Sequence, residues 1–403
     1  MNNIMIISPF LPWPLNSGGN TGVFYMLEYV AKYENVYFVT IYNKRANNYD
    51  QLEALKKRLP NVHFLMYDYR NTVYKKYEYV RKLFRHIGMK VKFGESLCSM
   101  DSLNVLDSIT PGLVEYVNRE IERNKINIVQ IEFLGLHPLV FALPNHVKKI
   151  FIHHELGWVR DELTYGKDVY STFYKEMKKC QEISVLNKFD VVAALTDVDK
   201  EKLYEAGVKT QLKVSTLAIS NHTLEQRNYQ FNNRLTFIGG SAHFPNYEGL
   251  KWFVLEVMPL ISHKHPNIEL DVIGSWSDDA KNDVLSINDH VNFLGFVDEL
   301  GDGLKDSIMV VPINIGSGMR MKILEAANFS VPFVSTVVGA EGLAFKSEYD
   351  CYIAKTAAEM AEEVLLLAEN SQLYNALSVN VHEAYKLNYS IESLGKKRLE
   401  LYD

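Results

Sequence analysis

A chain of 403 residues is too long for one ordinary hydrophobic core and fits two domains of roughly 200 residues each. Its 47% hydrophobic and 23% charged residues are those of a soluble globular protein, and three scattered cysteines without Cys-x-x-Cys spacing argue against a disulfide framework or a zinc site and for a reducing, cytoplasmic setting. The net charge of −6 is unevenly divided: residues 1–217 hold 29 Lys+Arg against 24 Asp+Glu, a net of +5, and residues 218–403 hold 14 against 25, a net of −11.

The amino end, Asn3 to Ser8, is apolar but short, lacks a basic leader and runs into Pro9 and Pro12, which reads as a first strand and not a signal peptide. No stretch approaches the roughly 18 apolar residues of a membrane span. Apolar runs of strand length then alternate with helical patterns, the signature of parallel sheets with crossover helices. In the first half the expected strands are Ile4–Ile7, Val36–Ile41, Val62–Met66, Ile128–Ile131, Lys149–His153, Val191–Leu195 and Lys213–Ala218. In the second they are Leu235–Ile238, Leu270–Ile273, Val291–Leu294, Ile308–Pro312 and Val331–Ser335. The polar stretch between them gives the expected division: an α/β domain at 1–218, a linker at 219–234, a second α/β domain at 235–388 and a tail helix at 389–403.

Several short segments could carry chemistry. Gly18 and Gly19 follow the first strand and precede a helical pattern, so their amides could meet a phosphate or a sugar. Between Asn43 and Lys92 there are 13 Lys+Arg against 4 Asp+Glu, and Val73, Tyr77, Val80, Phe84 and Ile87 recur at helical spacing. That is a basic amphipathic helix, suited to an anionic bilayer or to solvent; no nucleic-acid module accompanies it. Glu132 and the run His153, His154, Glu155 end two strands of the first half, but adjacent strand residues point to opposite faces and cannot all ligate one ion. Asp197-Val198-Asp199 spells Asp-x-Asp, yet Thr196 and Asp199 have the spacing of a helix start.

The most informative run lies between Pro312 and Glu341. Gly316, Ser317 and Gly318 sit where an apolar strand meets a helix, and Met319 and Arg320 lead into that helix. The glycines let the backbone turn sharply and approach a ligand, and the helix start offers free amides to an anion. Lys322 and Glu325 are three apart on one helical face: a cation for phosphates and a carboxylate for two sugar hydroxyls. A Walker-type phosphate loop is excluded, because no Gly-Lys-Ser/Thr follows the glycines, and the dinucleotide fingerprint lacks its third Gly.

This run, closing with Gly339-Ala340-Glu341-Gly342, resembles the donor-sugar site of glycosyltransferase family 4 and its relatives with the GT-B fold, whose Gly-rich turn leads to a helix carrying Glu-Ala, here Glu325 and Ala326. The commoner family pattern has a second Glu at the place of Ser317, and many members carry an Arg and a Lys at the places of Ser241 and Asn246. The resemblance implies two Rossmann-like doubly wound domains facing across a cleft. It implies a donor site made of Gly18, Gly19, Gly240, Ser241, Gly274, Phe296, Val297, Gly316, Ser317, Gly318, Met319, Arg320, Lys322 and Glu325. Of these, Lys322 would meet the diphosphate and Glu325 the ribose, while Phe296 and Val297 would seat the base. His154 would face the transferred sugar, with Glu132 and His153 as further acceptor contacts. The implied activity is retaining transfer of a sugar from a nucleotide diphosphate to a saccharide or lipid-linked saccharide, without metal or other cofactor, in bacterial surface polysaccharide or glycoconjugate synthesis, by a cytoplasmic protein that meets the inner leaflet peripherally. Two alternatives remain open on these residues: a nucleotide-sugar epimerase of the same fold, and a partner subunit that has lost turnover.

Overall fold

The computed structural model describes residues 1–15, 17–41, 48–68, 109–220, 232–297, 299–316 and 318–403. The basic stretch with Val73 to Ile87, most of the expected linker and Ser317 lie outside them. Among the described residues no helix is long and apolar enough to cross a membrane.

The chain divides into two compact units. The first comprises Met1–Leu15, Gly19–Ser215 and Gly395–Asp403; the second comprises Asn16–Gly18 and Thr216–Leu394.

In the first unit, β1 (Asn3–Ser8), β2 (Asn35–Ile41), β3 (Val62–Tyr67), β4 (Ile128–Glu132), β5 (Lys148–His153), β6 (Val191–Ala194) and β7 (Gln211–Val214) form one sheet in the order β3-β2-β1-β4-β5-β6-β7. Every pairing is parallel; Ile4 stands opposite Val36 on one side of β1 and opposite Ile128 on the other. The helix Pro111–Arg123 shows how local chemistry builds the covering layer. Thr110 caps it by accepting from the Leu113 amide at 3.2 Å, Pro111 starts it, and Leu113, Val117 and Ile121 recur every four residues and are fully buried. The strand expected at Lys213–Ala218 runs over Gln211–Val214, and Ser215, Leu217 and Ala218 are buried in the loop that follows.

In the second unit, β8 (Arg234–Ile238), β9 (Glu269–Ile273), β10 (Val291–Gly295), β11 (Ile308–Val311), β12 (Phe333–Thr336) and β13 (Tyr352–Ala354) pair in parallel in the order β10-β9-β8-β11-β12-β13. β13 has three residues, too few for a period to show in sequence. The strand order reverses between β8 and β11, so the loops leaving these two strands diverge and open a crevice at their carboxyl ends, where sheets of this kind bind ligands.

The helix Ile391–Leu399 ends in the first unit, where Arg398 and Tyr402 are buried beneath β4.

Candidate functional site

The reversal between β8 and β11 fixes what stands at the crevice of the second unit. After β8 the chain turns through Gly239 and Gly240 into the helix Phe244–Trp252; after β11 it runs through Gly316 and Gly318 into the helix Met321–Asn328. A Cβ on Gly240 would lie 2.8 Å from the Ser275 carbonyl oxygen, so no side chain fits there. Gly316 and Gly318 take φ of 111° and 82°, which glycine alone adopts without strain. The neighbouring loops are stitched together: the Gly239 amide donates to Ile273 O and the Gly274 amide to Gly295 O, each at 2.8 Å. Trp276 Nε1 donates to Gly239 O at 2.7 Å, and Ser241 Oγ accepts from the Ser277 amide. Phe296 and Val297 follow β10 at the same edge, Phe296 with 61% of its surface exposed.

Lys322 and Glu325 lie on the Met321–Asn328 helix, half-buried. Lys322 Nζ donates to Asn246 Oδ1 at 2.8 Å and stands 4.3 Å from the centroid of the Phe237 ring. Asn246 Nδ2 donates to Gly240 O, so Asn246 ties Lys322 to the glycine turn. Burial pushes the Lys322 ammonium down to about 7, the Arg320 guanidinium adds to this, and Glu325 opposes it. Burial likewise pushes the Glu325 carboxyl up to about 7 against the pull of Lys322. No hydrogen bond reaches the Glu325 carboxylate among the described residues. Two ionisable groups held near neutrality in one crevice are an arrangement found at functional sites.

Arg320 precedes the helix and is buried, and its Nη1 donates to Gly318 O at 3.0 Å, so the guanidinium braces the glycine turn. Met319 is buried beside it.

Gly18 and Gly19 open the helix Gly18–Val30, three residues earlier than its apolar pattern suggests. Glu132 ends β4 and His153 ends β5, but neither is offered to a ligand. Glu132 is 2% exposed: Oε2 lies 2.5 Å from His154 Nε2, Oε1 accepts from Gln130 Nε2 at 2.6 Å, and Arg398 Nη1 is 3.7 Å from Oε1. Burial alone would raise its pKa, but the hydrogen bond and charge of His154 and the Arg398 guanidinium together hold it below the usual range. His153 is buried against Glu182 Oε1 at 2.8 Å. The two neighbouring histidines thus point to opposite sides, and His154, its side chain 8% exposed, is the least buried of the three expected acceptor contacts.

Thr196 caps the helix Asp197–Glu205, its Oγ1 accepting from the Asp199 amide at 3.1 Å and donating to Asp199 Oδ2 at 2.9 Å, so Asp199 is engaged in the cap. Among the described residues no group of three His, Cys, Asp or Glu side chains is placed to hold a metal ion. Sequence reasoning missed Gln130, Arg398 and Tyr402, because nothing in a linear pattern ties Arg398 to a strand ending at position 132.

Residues 232–370 match the family described as glycosyl transferases group 1. A Klebsiella pneumoniae protein described as an uncharacterized 44.6 kDa protein in cps region is 20% identical over 410 residues, spanning 96% of this chain and 97% of the relative. Among solved structures, a mutant of TarM from S. aureus in complex with fondaparinux, alpha-GlcNAc-glycerol and UDP superposes with a TM-score of 0.71 at 16% identity, covering 100% of both chains. Sucrose-phosphate synthase from Thermosynechococcus elongatus gives 0.72 at 14% identity, with 100% of this chain and 98% of the other covered. Anabaena HepE in complex with UDP and glucose gives 0.64 at 10% identity, covering 100% and 99%.

Proposed function

We propose that this chain, which has the GT-B fold and matches the glycosyl transferases group 1 family over residues 232–370, transfers a sugar, with retention of configuration, from a uridine diphosphate donor to a hydroxyl of a saccharide or lipid-linked saccharide. The observation that carries this reading is the Lys322–Glu325 pair at the strand-order reversal: an ammonium held in place by Asn246 and a carboxylate without a hydrogen-bond partner among the described residues. The uridine base is supported by the UDP in the TarM and HepE complexes, and a role in surface polysaccharide synthesis by the cps-region relative.

In this reading the diphosphate meets Lys322 and the amides of Gly240, Gly316 and Gly318, and the anion restores the charge that burial weakens on the ammonium. Glu325 accepts hydrogen bonds from the ribose hydroxyls. The incoming hydroxyl attacks the anomeric carbon on the face the donor phosphate is leaving. The carbon–oxygen bond to phosphate breaks, the nucleoside diphosphate departs with the electron pair, and the hydroxyl proton passes to the departing phosphate oxygen. Lys322 and the amides stabilise the charge developing there. No further cofactor enters. The sequence between Asn43 and Lys92 supports a protein recruited to anionic lipid from the cytoplasmic side.

A thermal-shift screen of nucleotide sugars tests the reading, since a ligand that binds only the folded state raises the melting temperature by mass action. UDP-sugars should raise it, and product from the best of them should keep the donor's anomeric configuration in its NMR coupling constant. A screen in which no nucleotide sugar stabilises the protein contradicts the proposal.

A further inference from the structure

The carboxyl end of the chain closes a buried hydrogen-bond chain onto His154. Tyr402 OH donates to Gln130 Oε1 at 2.8 Å, Gln130 Nε2 donates to Glu132 Oε1 at 2.6 Å, and Glu132 Oε2 faces His154 Nε2 at 2.5 Å. Burial keeps the Tyr402 phenol protonated as a donor. Arg398, itself 1% exposed, is anchored by Nε to Ser215 Oγ at 2.6 Å and places Nη1 against the same carboxylate. Phe133 clamps the imidazole from the side: it takes φ of 66°, a conformation uncommon for an aromatic residue, and its ring lies parallel to that of His154 with centroids 3.8 Å apart.

From this geometry we propose that Glu132, held by Gln130 and Arg398, is a positioning residue that fixes the tautomer of His154. An ionised carboxylate only accepts, so the hydrogen between Glu132 and His154 belongs to Nε2. Whenever the ring is neutral, Nδ1 is therefore the acceptor. The role of His154 toward the transferred sugar rests on the proposed function; the assignment of its tautomer does not. Glu132 and Arg398 act through His154 and touch no substrate themselves.

The isosteric variant Glu132→Gln discriminates. Gln130 Nε2 and Arg398 both donate toward the position of Oε1, so the new amide must turn its oxygen to them and its nitrogen to His154. Nε2 then has to accept, and the proton moves to Nδ1. Long-range proton–nitrogen NMR of the full chain with labelled histidine, the His154 signals identified by their loss in His154→Gln, reads the tautomer with no ligand added. The wild type should show Nε2–H in the neutral ring and Glu132→Gln should show Nδ1–H. Turnover, read as UDP released from the UDP-sugar selected by thermal shift, should fall in kcat by about 10–100-fold in Glu132→Gln with donor KM little changed, the range for lost outer partners of a functional His. A wild-type ring protonated at Nδ1, or a variant with the wild-type tautomer, overturns the proposal; the wild-type spectrum decides alone if the variant fails to fold. Unchanged turnover in His154→Gln would instead refute the role of His154 toward the sugar and leave the tautomer assignment standing.

Discussion

Two acidic side chains, one in each unit, stand at strand-order reversals and have opposite fates. Glu132 is almost fully buried, yet its two oxygens are engaged by His154, Gln130 and Arg398, and its carboxyl is held below the usual range. Glu325 keeps more contact with solvent but has only the charge of Lys322 nearby, and burial drives it up to about 7. The difference separates a charge the fold has satisfied from one the fold has left for something else. A buried carboxylate with a full set of donors belongs to the scaffold that sets a neighbour's geometry, whereas one without a partner is complete only when a ligand supplies the hydroxyls.

The comparison is broken most forcefully at Arg398. Arg398→Ala removes the guanidinium beside the buried Glu132 carboxylate and the donor to Ser215, and loss of one partner of a buried pair costs about 3–5 kcal/mol. Urea unfolding should show a midpoint lowered to match; an unchanged midpoint would mean that the tail holds nothing in the first unit.

At Glu325 the sign is reversed. A carboxyl whose pKa rises from 4.5 to about 7 on folding favours the folded state while protonated and loses that advantage as pH climbs from about 4.5 through 7. Ligand-free Glu325→Gln should therefore equal the wild type near pH 4 and exceed it near pH 8 by on the order of 1 kcal/mol. For Glu132 the shift is downward, so the stability it adds is present above about pH 4.5 and fades as acid protonates it. A Glu325→Gln variant less stable than wild type at pH 8 would show that the carboxylate already has a partner in the free protein.

The smallest expected effect is none. Asp199 is engaged by the Thr196 cap and the proposed phosphate contacts are Lys322 and backbone amides, so a chelator should leave transfer intact. Turnover abolished by chelator and restored by manganese or magnesium would contradict this.

The sheets, and the glycine turn and helix that carry Lys322 and Glu325, were legible in sequence because their signals are local. Valine- and isoleucine-rich runs mark strands buried on both faces, and two glycines followed by Lys322 and Glu325 fall within a single strand–turn–helix unit. β13 was missed because three residues show no period, and the loop Ser215–Ala218 looked like strand because burial in a loop selects the same residue types. Glu132 and His153 were taken for ligand contacts because a strand's end says that a residue reaches an edge, not which partners await it there. Those partners, Arg398 and Glu182, come from distant segments that only the folded chain brings together.

The claim on which the rest depends is that the second unit holds the nucleotide through Lys322 and Glu325, and calorimetric titration of the full chain tests it directly. UDP should bind the wild type; Lys322→Ala should weaken both UDP and inorganic pyrophosphate, and Glu325→Ala should weaken UDP but not pyrophosphate, each by about 1.5–3 kcal/mol, roughly tenfold or more. Wild-type affinity for UDP in both variants would place the donor elsewhere.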